Sequence, residues 1–284
     1  MASAREPGCA PLFVSDLDFT LLRSDATLSE RTTATVNRVL ASGQQFTCAT
    51  ARSYSSTLRV TAGLELTLPL ITYGGSVLYD PVAGEVTDVA ALPDDTVAAV
   101  LDATARHDHV EPLLYVMLDG RDRVCWREAH ANPFIDSFAA RRRNNPRLMP
   151  LPDWSVIADA PVFYVTLIGE RPAIDQLRVD LEPHLADCFD TVGPDGYHRD
   201  QTWFEITSAD GTKAAAARRL QARLGATQLV AFGDNLNDLP LFAAADHSCA
   251  VANAVPELRA IATEVIADND SDGVAAWLER HALI

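Results

Sequence analysis

The 284-residue sequence predicts a doubly wound α/β parallel-sheet core interrupted by an α+β block. Three observations predict it. Short apolar runs alternate with helical segments up to about residue 82 and again from Trp203 onward. Two of those runs end directly in acidic residues, as buried parallel strands do where they meet a site. The stretch between reads instead as paired strands with helices on one face, a pattern that suits a separate sheet. The length agrees, because one core stops growing near roughly 250–300 residues. The expected boundaries are residues 1–82 and 203–284 for the two core halves and 83–202 for the inserted domain.

Each element follows from its local pattern. Leu12-Phe13-Val14-Ser15 is an apolar run of strand length. Ser29 can cap a helix to about Ser42, with Gly43 as its stop. Gln45 to Ala49 is a strand, Ser53 to Ala62 a helix ending at Gly63, and Leu70 to Thr72 a third core strand. Gly74-Gly75 breaks it, and Val77–Tyr79 with Glu85–Val89 form a hairpin across Pro81–Gly84. In the inserted block, a helix over Asp94–His107 precedes a hairpin of Leu113–Leu118 and Arg123–Arg127. Arg141 to Pro146 is a basic loop, Val162–Ile168 a strand, Arg171–His184 a helix, Cys188–Thr191 a strand, and Gly193–Gln201 turn-rich. The core then resumes with strand Trp203–Ile206 and helix Thr212–Leu224. Strands Gln228–Phe232, Ser248–Val251 and Thr263–Ile266 alternate with helices Leu236–Ala243, Val255–Ala262 and Asp272–His281.

Composition narrows the function. Hydrophobic residues are 48% and charged residues 22%, which fits a soluble globular enzyme. Twenty-three basic against 39 acidic residues give a net charge of −16, which repels phosphate backbones and anionic bilayers. Neither nucleic acid nor membrane is expected as a partner, and no signal peptide or membrane-spanning run is read in the chain. The five cysteines (Cys9, Cys48, Cys125, Cys188 and Cys249) are odd in number and widely spaced, without Cys-x-x-Cys. A reduced, cytoplasmic setting without disulfides or a zinc site is expected.

Four clusters can carry chemistry. Asp16-Leu17-Asp18-Phe19-Thr20 follows the first strand, and two carboxylates there can bind a hard cation or attack an electrophile; they equally suit a solvated acidic turn. Gly233-Asp234-Asn235-Leu236-Asn237-Asp238 follows another apolar strand and could share a cation with Asp16 or simply cap a helix. Thr50, in Cys48-Ala49-Thr50-Ala51-Arg52, offers a hydroxyl and a backbone N–H to an anion, or an ordinary cap. Lys213 is the sole lysine beside 22 arginines. It stands in a helix's first turn, where a cation opposes the dipole, which suggests that a compact point charge is required.

Asp16-x-Asp18-x-Thr20, Thr50, Lys213 and Gly233-Asp234-x-x-Asn237-Asp238 resemble, in order and at strand ends, the motifs of the haloacid dehalogenase (HAD) superfamily. The inserted block between Thr50 and Lys213 is similar to the large cap of its Cof-like phosphatases. The resemblance implies a Rossmann-like core with an α+β cap, and a Mg²⁺-dependent phosphohydrolase acting on a small phosphorylated metabolite, a sugar phosphate or cofactor phosphate. By the resemblance, Asp16 is the nucleophile that forms an aspartyl-phosphate and Asp18 the general acid and base. Mg²⁺ is held by Asp16, the carbonyl of Asp18, and Asp234. Thr50, Arg52, Lys213 and Asn237 bind phosphate or substrate, and Asp238 supports that shell. A phosphomutase and a catalytically silent ligand-binding protein are the alternatives, and a monomer or homodimer is expected. Phe19 stands where the family usually has Gly, Ala51 replaces the Gly between Thr and Arg, and Gly74 replaces an Asn. None of these changes removes an acid, the threonine or the lysine. Arg121, Arg123, Trp126, Arg141 to Arg143, Tyr197, His198 and Arg199 are either substrate contacts from the cap or ordinary surface and core.

Overall fold

The four residues Leu12–Ser15 are all buried, as a central strand requires, and they open a chain whose computed structural model describes residues 10–107, 110–194 and 201–283. In order, the elements are β1 (Leu12–Ser15), α1 (Glu30–Ala41), β2 (Gln45–Cys48), α2 (Tyr54–Val60), β3 (Leu70–Thr72), β4 (Val77–Asp80) and β5 (Glu85–Val89). Then come α3 (Asp94–Ala105), β6 (Pro112–Leu118), β7 (Arg121–Arg127), α4 (Pro133–Arg141), β8 (Leu148–Leu151), β9 (Val162–Gly169), α5 (Arg171–Leu181), β10 (Cys188–Pro194) and β11 (Thr202–Ser208). The chain continues through α6 (Lys213–Leu224), β12 (Leu229–Gly233), α7 (Leu239–Ala244), β13 (His247–Val251), α8 (Pro256–Ile261), β14 (Glu264–Ile266) and α9 (Gly273–His281). The chain divides into two units, one up to Asp88 and from Thr212 onward, the other Val89–Gly211.

The first unit is built on a five-stranded parallel sheet of order β14-β13-β12-β1-β2. Its adjacent strands β1 and β12 are apolar runs buried along their whole length, as strands covered on both faces are. Ser29 caps α1 as the sequence places it, accepting from the Thr32 N–H, while α6 is capped by Thr212, which accepts from the Ala215 N–H, and ends at Gly225 with φ +65°. The segment Leu70–Thr72 is not a strand of this sheet. β3 instead pairs antiparallel with β4 in a three-stranded sheet β3-β4-β5, and only an isolated bridge from Ala49 to Ile71 ties it to the end of β2.

The second unit has a six-stranded sheet, order β10-β11-β9-β6-β7-β8. Its β6–β7 turn, Asp119-Gly120, has positive φ at both residues, +51° and +72°, as tight hairpins prefer. Two expectations change here. The strand around Trp203–Ile206, expected to reopen the core, is β11 of this sheet, antiparallel to both β9 and β10. Its Phe204 and Ile206 pack with Leu114, Val116 and Leu167, so the unit boundaries fall at 88/89 and 211/212 rather than 82/83 and 202/203. A four-residue apolar run fits either sheet, and its partner strands lie far away in sequence. Helices also cover both faces. α3 and α5 pack on one, while α4, whose pattern was missed between the hairpin and the basic loop, packs Ile135 and Phe138 against Leu113, Val124, Trp126 and Ile168 on the other.

Candidate active site

Register places two acids side by side. β1 runs parallel to β12 with Ser15 opposite Phe232, and the Asp16 N–H donates to the Phe232 carbonyl at 2.9 Å. Asp16 and Asp234 therefore leave neighbouring strands at the same sheet edge. The carboxylates of Asp16, Asp234 and Asp238 each offer an oxygen within 4.8 Å of the others, and all three residues are buried. Gly233 makes this packing possible, because a Cβ there would lie 2.7 Å from the Asp238 carboxyl carbon.

Lys213, 2% exposed, stands at the first position of α6 and donates to Asp16 Oδ1 at 2.6 Å and Asp238 Oδ1 at 2.7 Å. Burial works against its charge, but Asp16 and Asp238 outweigh it and hold the ammonium above its usual range. The start of α6 is fixed by the loop that follows β3. Gly75, at φ +118°, bridges Thr212 so closely that a Cβ would meet the Thr212 carbonyl at 2.2 Å. The same loop reaches back to β2's end, with Gly74 N–H donating to the Thr50 carbonyl and Tyr73 N–H to that of Arg52. Gly74 has φ +67° with open space around it, which explains why Gly can stand where the family has Asn: both tolerate the left-handed region.

One lysine faces three buried carboxylates, so the cluster carries surplus negative charge. Burial, then the charges of neighbouring carboxylates, raises the Asp16 carboxyl well above its usual range despite Lys213. Asp234 is pushed up to about 6, first by burial and then by Asp238. Asp238 has no oxygen to spare: Oδ1 takes Lys213, and Oδ2 accepts from the N–H groups of Asp234 and Asn235. It anchors the loop and the lysine. Asp16 and Asp234 remain as carboxylates able to meet a cation. An all-oxygen donor set with surplus charge fits a hard divalent ion such as Mg²⁺.

The remaining residues divide. Asp18 lies outside the carboxylate trio, and its half-exposed side chain is gripped by Arg52, with Nε–Oδ2 2.8 Å and Nη2–Oδ1 2.5 Å. The Arg52 guanidinium is thus engaged by a carboxylate. Thr50 is buried, and its N–H is spent on the Ile71 carbonyl, so the expected anion contact through that N–H is not available. Its hydroxyl accepts from the Arg52 N–H at 3.2 Å, and the cap of α2 is Ser53. Asn237 is exposed and takes no part in the carboxylate–lysine network. Among the inserted-block candidates, Trp126 is buried against α4, and Arg142 lies over the Phe138 ring at 3.9 Å. Arg121, Arg141 and Arg143 are exposed and Arg123 half-buried. Tyr197, His198 and Arg199 lie outside the described residues.

A family model for haloacid dehalogenase-like hydrolases matches residues 13–278. The chain belongs to that family. Among relatives, it is 26% identical to the Bacillus subtilis 5-amino-6-(5-phospho-D-ribitylamino)uracil phosphatase YitU, covering 95% of this chain and 97% of that one. It is 23% identical to the Escherichia coli pyridoxal phosphate phosphatase YbhA, covering 94% and 97%. A crystal structure of a haloacid dehalogenase-like hydrolase from Bacteroides thetaiotaomicron superimposes with a TM-score of 0.75 at 22% identity, covering 95% and 99%. The fold is therefore the Rossmann-like HAD core with an inserted cap domain.

Two features of this HAD site escaped the motif reading. Thr20 Oγ1 donates to Asp234 Oδ1 at 3.0 Å, tying the first loop to the fourth motif. Phe19 holds φ +58°, a conformation costly for a residue with a side chain, with its ring 52% exposed. Its carbonyl accepts from Asn253 Nδ2 at 2.8 Å. Asn253 lies just beyond β13, at the sheet edge that carries Asp16 and Asp234, and that position was the available signal.

Proposed function

We propose that this protein is a Mg²⁺-dependent phosphohydrolase of small phosphorylated metabolites, working through an aspartyl-phosphate on Asp16. The carrying observation is the buried Asp16–Lys213–Asp238 chain beside Asp234, in a chain of this family. Asp16 and Asp234, with the main-chain carbonyl of Asp18 by family pattern, would hold Mg²⁺. The ion would supply the positive charge that lets an anionic nucleophile approach an anionic phosphoryl group.

In the first half-reaction an Asp16 oxygen attacks phosphorus and the bond to the leaving oxygen breaks. Asp18 gives that oxygen its proton. In the second, Asp18 takes a proton from water, the water oxygen attacks phosphorus, and the Asp16–phosphorus bond breaks to release phosphate. Arg52 holds Asp18 in place with two parallel hydrogen bonds, one of which must open when Asp18 carries the proton it gives to the leaving oxygen. Lys213 keeps Asp16 aimed and partly offsets the effect of burial on its charge, and with the Thr50 hydroxyl it grips phosphoryl oxygens. Asp238 is a positioning residue for Lys213.

The substrate class rests on the relatives. Besides the ribitylamino-uracil and pyridoxal phosphate phosphatases, the chain is 26% identical to the HMP-PP phosphatase of Serratia proteamaculans, covering 93% of each. All three are named for small phosphorylated compounds. The direct test is p-nitrophenyl phosphate hydrolysis with and without EDTA, for the natural chain and Asp16→Asn. Loss of turnover in both cases is expected. An Asp16→Asn variant keeping more than about a tenth of kcat loses only ~1.4 kcal/mol, too little for a nucleophile, and would refute the assignment.

A further inference from the structure

Away from the carboxylate–lysine cluster, three unlike ligand types converge at the edge of the parallel sheet. His247 and Cys249 are two apart on β13, so their side chains share one face. Glu264 on β14 is the register partner of Cys249 and therefore points the same way. β14 is the edge strand, and the His247 and Glu264 side chains are each about one-third exposed, 35% and 39%, so solvent reaches those two, while Cys249 is buried.

The spacing is that of a coordination site. His247 Nε2 lies 3.0 Å from Glu264 Oε1, the Cys249 sulfur lies 3.5 Å from the same oxygen, and the three ligand atoms all fall within 4.8 Å of one another. Tetrahedral zinc, with bonds of about 2.3 Å to sulfur and about 2.0–2.2 Å to nitrogen and oxygen, sets ligand–ligand edges of about 3.4 Å for N–O and about 3.6 Å for S–O. The third edge, from the His247 nitrogen to the Cys249 sulfur, also lies within 4.8 Å. A second layer is present too: Trp277 Nε1 donates to Glu264, and the Trp277 ring lies 5.7 Å from the His247 ring. Outer hydrogen bonds of this kind orient metal ligands.

We propose that His247, Cys249 and Glu264 form a binding site for a borderline divalent cation of the zinc type, separate from the hard-cation site of Asp16 and Asp234. Binding releases the Cys249 thiol proton to solvent. His247 contributes a neutral Nε2 lone pair with its proton on Nδ1, and Glu264 a carboxylate. Thiolate and carboxylate together balance the ion's charge, and the fourth position is left to water. Nitrogen and sulfur donors distinguish this site from the all-oxygen one, which suits Mg²⁺. The ion would pin edge strand β14 to β13.

The test titrates Co²⁺ into the full chain with Mg²⁺ in excess to fill the oxygen site. The expected result is one bound equivalent with a thiolate-to-cobalt charge-transfer band, reversed by Zn²⁺, and a higher melting temperature with Zn²⁺ than without. Cys249→Ser should abolish the band, which separates this site from the thiols of Cys48, Cys125 and Cys188. His247→Gln, at a half-exposed position, should weaken binding at least about 10-fold, since even outer-layer changes cost 10–100-fold, and leave Mg²⁺-supported hydrolysis unchanged. If Cys249→Ser does not fold, His247→Gln decides. No band in the natural chain, a band surviving Cys249→Ser, or natural affinity in His247→Gln overturns the proposal.

Discussion

Lys213→Arg keeps the charge and changes only the shape, and the structure says the shape matters. The ammonium makes 2.6 and 2.7 Å contacts to two carboxylates at a position 2% exposed. Its backbone is fixed by the Gly75–Thr212 bridge and cannot retreat. A guanidinium is a wide planar fork and must push Asp16 or Asp238 aside. Displacement of the proposed nucleophile Asp16 by ~1 Å costs on the order of 10²-fold, so kcat/KM should fall about 100-fold, or ~2.7 kcal/mol of transition-state stabilisation. Sequence alone suggests unchanged stability, but the buried site adds an overpacking cost of about 1–3 kcal/mol. At about 2–4 °C per kcal/mol for a domain of this size, the melting temperature should fall by several degrees. Steady-state kinetics on p-nitrophenyl phosphate and a thermal melt read both effects. Near-natural kinetics with an unchanged melt would show that the cluster accommodates the fork, and the geometric argument for a lysine would fail.

The raised Asp16 and Asp234 carboxyls make the metal-free protein pH-sensitive. Asp234, pushed up to about 6, keeps a proton that the unfolded chain releases from pH ~4, so stability should fall as pH rises from ~4 to about 6, by up to about 3 kcal/mol; Asp16, raised well above its usual range, adds a loss in the same direction. Mg²⁺ should therefore raise the melting temperature more at pH 7 than at pH 5, and an equal gain at both would count against these acids as its ligands. Phe19→Gly should relieve roughly 1–2 kcal/mol of φ +58° strain, but it gives up the buried half of the residue and adds freedom to the unfolded chain, so stability in denaturant unfolding should change by less than about 1 kcal/mol. A larger loss would show that the ring packs. Gly233→Ala should drive a Cβ into Asp238, cost about 1–3 kcal/mol, and lower turnover by at least tenfold; natural activity would mean that Asp238 can move without disturbing Lys213.

The sequence by itself determined the site's chemistry. Acids follow apolar runs at Asp16 and Asp234, and a lone lysine opens a helix; these are local patterns, because a parallel strand buried on both faces must be apolar and must end where the chain turns. The helix cap at Ser29 was legible for the same reason, since a cap is set by its own neighbours. Tertiary structure alone decided which strand joins which sheet. Leu70–Thr72 and Trp203–Ile206 read like core strands, yet one sits in a side sheet and the other between β9 and β10, because hydrogen-bond partners are chosen by segments distant in sequence. It also decided which oxygen meets which donor. Asp238 spends both oxygens on Lys213 and the loop, Arg52 turns to Asp18, and Thr50 gives its N–H to Ile71. Those allocations depend on differences of a few tenths of an ångström between residues up to 34 positions apart. No local pattern encodes them, because a side chain's partner is fixed only when packing has excluded the others.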